Sequence, residues 1–142
     1  MRARFNRIAA FTGAAAMGMA IMAGTAVADT RYNDCHAGGD ILTGWTEYNL
    51  ASQNTVYVSR AGFNLERNGG MHNNVYLRLR GNGGNTTYWS WTSGDDVVGG
   101  RDYAFSVQHR VPRGSKPYMK YNATFDQNGP DPSCAAYTNL PR

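Results

Sequence analysis

Residues that carry chemistry are scarce in this chain. It holds three His and two Cys in 142 residues. His36, His72 and His109 stand far apart, and no H-E-x-x-H, G-x-S-x-G or P-loop pattern occurs. Two Cys cannot supply a zinc-type ligand set on their own. Asp95-Asp96 could offer oxygens to calcium, but that ion wants several more, and the pair reads more simply as a turn before Val97-Val98-Gly99-Gly100. No cofactor or metal is expected, and the chain reads as a non-enzyme.

An excess of one charge is also lacking once the N-terminus is considered. Arg2, Arg4 and Arg7 precede an apolar run, residues 8–23, broken only by Thr12, and Ala26-Val27-Ala28 has the A-x-A form of a cleavage site. Those three parts make a secretory signal peptide over residues 1–28. The run is rich in Ala and Gly and has no charged stop-transfer flank, so an anchor fits less well. The whole chain carries +4. Without residues 1–28 it keeps 11 Lys+Arg against 10 Asp+Glu, or +1. The basic pI belongs largely to the leader. A nucleic-acid partner needs a basic patch on the folded part, and +1 offers little support for one. Nor is a membrane partner expected after cleavage. In an exported chain Cys35 and Cys134 most simply form one disulfide, closing nearly the whole domain.

No amphipathic helix pattern follows Ala28. Short period-2 runs lie between Gly, Asn, Asp and Pro turns. Residues 29–40 read as a polar extended arm tied down at Cys35, and residues 41–142 as the domain. Strands are expected at Ile41–Leu50, Thr55–Arg60, Gly62–Glu66, Asp102–Val111 and Pro117–Phe125, and Val75–Thr92 as a hairpin around Gly81-Asn82-Gly83-Gly84. Arg67-Asn68-Gly69-Gly70 reads as a turn. Seven strands in about 100 residues point to an all-β antiparallel sandwich, with a small closed barrel as the alternative.

Three surfaces are candidates for binding. Tyr76, Arg78 and Arg80 share one face of their strand, which reads equally as a contact surface or a solvated face. Trp89 and Trp91 share a face of the paired strand. With Tyr76 they could stack against sugar rings, or they could be core. The loop from Arg110 to Pro117 contains Val-Pro-Arg-Gly-Ser, which resembles a bond that trypsin-like proteases recognise. Stiffened by two prolines, it could present Arg113 and Lys116 to a protease as an inhibitor does, or could be an ordinary hairpin loop. A small extracellular ribonuclease would pair Glu with His and Arg. Glu47 or Glu66 with His109 and Arg78 could mimic that set, but the helix such enzymes pack on their sheet is not visible in the pattern.

The leader resembles those of actinobacteria. The plan of the rest — arm Asp29–Asp40, Cys35, Cys134 and the strand pattern — resembles the small adaptor subunit of Streptomyces umbrella toxin particles. That resemblance implies a secreted β-sandwich that joins a lectin-bearing subunit to a toxin-bearing stalk by lending extended segments to both. The expected function is therefore a secreted protein-interaction module, an adaptor of an extracellular toxin complex in its most specific form. A protease inhibitor acting through Arg113 and a carbohydrate-binding module are the alternatives.

Overall fold

The computed structural model describes residues 27–66 and 71–142. The signal-peptide reading falls almost entirely, and the Arg67–Gly70 turn wholly, outside the described residues. Eight strands follow in order: β1 (Asp29–Ala37), β2 (Asp40–Ser52), β3 (Thr55–Glu66), β4 (Asn74–Gly81), β5 (Thr86–Thr92), β6 (Asp102–Pro112), β7 (Tyr118–Thr124) and β8 (Ser133–Asn139). They form two antiparallel four-stranded sheets, ordered β1-β2-β3-β6 and β5-β4-β7-β8. The sheets pack face to face and do not close into a barrel.

Alternation builds the core. Val75, Leu77 and Leu79 of β4 and Met119, Tyr121 and Ala123 of β7 are buried, with Phe125 just beyond β7. They meet Leu42 and Tyr48 of β2 and Val56, Val58, Phe63 and Leu65 of β3. Each large side chain so buried contributes roughly 1.5–3 kcal/mol. Gly44 is the position where Tyr121 lies against the first sheet: a Cβ there would come within 2.5 Å of the ring.

The structure departs from the sequence reading at four places. The segment read as an arm is β1, paired with β2 along its length through a tight turn at Gly38-Gly39, both at positive φ. The two short strands expected around Gly62 are one strand, β3. Its irregularity sits at Ser59, where the register with β2 slips by one residue. Gly62 is needed for another reason, because the Trp45 indole lies against its backbone. Residues 126–142, which hold three prolines and for which the pattern predicts no strand, contain a further strand, β8. The basic loop after β6 is not a hairpin, since β6 and β7 belong to different sheets.

Candidate functional site

The two lateral sides of the sandwich are built differently. On one side β1 and β8 are bound together. Cys35 and Cys134 are disulfide-bonded, with Cα atoms 5.8 Å apart. Arg31 Nη1 donates to the carbonyl of Asn139 at 2.7 Å, and Asn33 Nδ2 donates to that of Tyr137 at 2.8 Å. Side chains of β1 thus occupy backbone acceptors that an edge strand would otherwise offer. Behind them, Thr46 of β2 bonds Thr138 of β8 at 2.7 Å and also the hydroxyl of Tyr121. Burial pushes the Tyr121 phenol up to about 12, against the lowering effect of those threonine hydrogen bonds.

On the other side, β5 and β6 are bridged by rings rather than backbone. Trp91 packs on Phe105 with centroids 4.1 Å apart and on Phe63 at 5.9 Å. Phe63 stacks on Tyr103 at 4.8 Å, and Tyr88 approaches His109 at 6.1 Å. Trp89, Trp91, Tyr88, Tyr103 and Phe105 are only partly buried. A register slip between β4 and β5 around Tyr88 turns it and Trp89 toward the core together.

The edges on this side are unequally protected. β6 carries Asp102, Arg110 and Pro112, and Gln108 holds φ +48 at a register slip against β3. Charge, proline and a bulge are what keep an edge from pairing. The sequence of β5, TTYWSWT, has no charge, no proline and no glycine. Among the described residues no strand pairs with its outer edge.

Charge divides between the sheets. Strands β1, β2, β3 and β6 hold six acidic residues (Asp29, Asp34, Asp40, Glu47, Glu66, Asp102) against Arg31, Arg60 and Arg110. Strands β5, β4, β7 and β8 hold Arg78, Arg80 and Lys120 and no Asp or Glu. The near-neutral total conceals a sheet of −3 facing away from a sheet of +3.

The predicted site residues fall into this frame with several corrections. Tyr76, Arg78 and Arg80 share the outer face of the second sheet, as expected. Arg78 is exposed beside Lys120, its partner in register, and has no ion pair among the described residues. Arg80 instead donates to the Gly84 carbonyl in the turn before β5. Lys120 sits 5.6 Å from the Tyr137 ring centroid. Trp89 and Trp91 stand opposite Leu79 and Leu77, on the face away from Tyr76. The aromatic row of Tyr76, Trp89 and Trp91 expected for sugar stacking is therefore not assembled.

Arg113 does not project as an inhibitory side chain. Its Nη1 donates to the Gln53 carbonyl at 2.7 Å and its Nη2 to the Arg142 carbonyl, while its backbone N–H donates to Asn54. The guanidinium thus ties the loop to the β2–β3 turn and the last residue. Lys116 is exposed but caps the turn in a left-handed conformation, φ +52. The ribonuclease-like set is dispersed as well. Glu47 and Glu66 lie on the first sheet's outer face, His109 between the sheets and Arg78 on the opposite outer face. Asp95 accepts from Asn74 at 3.0 Å within its turn. No group of three metal-ligating side chains occurs among the described residues, and no helix there is long and apolar enough to cross a membrane.

The reading from sequence missed the undefended edge of β5, because exposure of an edge depends on strand order. It also missed Phe105 as a partner of Trp91, and Tyr88 and His109 as partners of each other. Cys-Ala-Ala-Tyr-Thr could have marked β8 by its alternation, and Gly38-Gly39 could have marked the hairpin that makes β1 a strand.

No protein-family model matches the sequence, and no curated protein matches it. Among solved structures, the variable (V) domain of the Streptococcus agalactiae AgI/II polypeptide BspA is similar at 12% identity and a TM-score of 0.41, over 98% of this chain and 90% of that one. So distant a likeness assigns neither partner nor activity.

Proposed function

We propose that this protein is a secreted, non-enzymatic interaction module that captures a partner's extended segment on the edge of β5. The observation that carries this reading is β5 itself: an uncharged edge strand of the +3 sheet, unpaired on its outer side among the described residues. An added strand would gain backbone hydrogen bonds along β5. Its inward side chains would cover the exposed rims of Trp91, Trp89 and Phe105, the kind of aromatic anchors that dominate binding energy. Its outward side chains would lie next to Ser90, with Arg78 one strand further in on the same face, and that positive face favours an acidic segment. The disulfide fits an oxidising compartment, which supports export.

In its most specific form the partner is another subunit of an extracellular toxin assembly, with this chain as the adaptor. The test places a photo-crosslinking residue at Ser90 of β5, with Thr43 on the other sheet as control, in the protein's own host. Crosslinking to a defined secreted partner from Ser90 and not from Thr43 is expected. Recovery of a free monomer only, uncrosslinked at Ser90, would overturn the reading. Ser90→Asp and Arg78→Glu should each weaken the complex at least tenfold without lowering the unfolding midpoint by more than a few degrees.

A further inference from the structure

The outer face of the first sheet carries a second site, unrelated to β5. Four positions align in register across the strands: Tyr32 on β1, Trp45 on β2, Gly62 on β3 and Ala104 on β6. The sequence along that row runs from large and flat to small. Tyr32 is 69% exposed, although a tyrosine on a folded domain usually shelters more of its ring. Trp45 lies directly against Gly62: a Cβ there would stand 2.2 Å from the indole. The missing side chain lets the ring lie down on the sheet. Ala104 keeps the floor low beyond it.

The result is a shallow groove of about 450 Å³ with an aromatic floor and a polar rim. Asn64 and Asp102 stand on the rim, fixed to each other by a hydrogen bond from Asn64 Nδ2 to Asp102 Oδ1 at 2.8 Å. Asn64 Oδ1 has no donor among the described residues. Glu66 adds a carboxylate. Arg60 bounds the indole, its guanidinium 5.5 Å from the ring centroid and 3.5 Å from Glu47.

The geometry points to a binding site for a neutral polysaccharide with flat, equatorially substituted pyranose rings, such as a β-1,4-linked glucan or chitin chain. Such rings present a C–H face to an aromatic platform and a rim of hydroxyl donors to its surroundings. Tyr32 and Trp45 sit on neighbouring strands, about 4.8 Å apart in a sheet, a spacing that suits successive sugar residues. The carboxylates of Asp102 and Glu66 suit hydroxyl donors. An anionic polymer is disfavoured, because this sheet carries the −3 balance. A captured protein strand is disfavoured too, because the site is the middle of a sheet and offers no backbone edge.

Titration calorimetry with cellohexaose and with chitohexaose separates the two sources of the ring chemistry. Saturable binding of at least one is expected, with at least a tenfold loss in Tyr32→Ala and in Trp45→Ala, and partial recovery in Trp45→Phe. Tyr32 is exposed enough that its removal leaves the fold intact, so the test stands even where Trp45→Ala is unstable. Ser90→Asp should bind sugar as the wild type does, which separates this site from the β5 edge. No binding of either oligosaccharide at millimolar concentration, or binding unchanged in Tyr32→Ala, would overturn the proposal.

Discussion

Tyr121 is the largest fully buried side chain among the described residues, and its hydroxyl shares the Thr46 hydroxyl of the other sheet with Thr138 of its own. Its phenol loses its proton at about 12 when folded, against 10.0 for an unburied tyrosine. As pH rises past 10 the unfolded chain therefore releases this proton first. Stability is fully present below pH 10 and falls between 10 and 12, by roughly 2–3 kcal/mol for this group. Tyr48, raised mainly by burial and also by its hydrogen bond to Asp29, adds to the same decline. Urea midpoints measured from pH 9 to 12 should fall, and in Tyr121→Phe the fall should be smaller, because the Tyr121 component is gone. A parallel fall in both proteins would contradict the assignment. At Gly44 a side chain would collide with the Tyr121 ring, so Gly44→Val should cost more than about 2 kcal/mol, read as a loss in urea midpoint. The inward set Val75, Leu77 and Leu79 was legible from alternation alone. The roles of Gly44 and Gly62 were not, because each depends on a ring arriving from elsewhere in the chain.

At the scale of elements, the two sides of the sandwich should differ in dynamics. β1 is polar and mostly exposed, and the Cys35–Cys134 bond across 99 residues holds it to β8. Replacing both cysteines by serine should lower stability by about 2–5 kcal/mol, checked by denaturant midpoint. Amide exchange should then quicken first in β1, whose backbone bonds reach only β2. β4 and its hairpin with β5 were readable from two clean runs around a glycine turn. β1 and β8 were not. Polar composition concealed the first and prolines the second, and each is held in place by the other through the disulfide and the Arg31 and Asn33 side chains. Arg113 illustrates a further limit: its loop composition suggests display, whereas its guanidinium is consumed by two carbonyls that only the fold brings near.

The whole molecule is a sandwich with one stapled side, one open side and oppositely charged faces. The sandwich class followed from strand count and turn spacing. The charge division did not follow from composition, because strand order decides which residues share a sheet, and a net charge sums over both. The same holds for the open edge, which is the centre of the functional account. Its most direct test is amide hydrogen exchange of β5 in the protein recovered natively from its host's culture fluid, compared with the isolated chain. The outward amides of Thr86–Thr92 should be protected at least a hundredfold more in the recovered assembly, while the edge of β6 is unchanged. Equal exchange of β5 in both preparations, or recovery of the isolated chain alone, would contradict it.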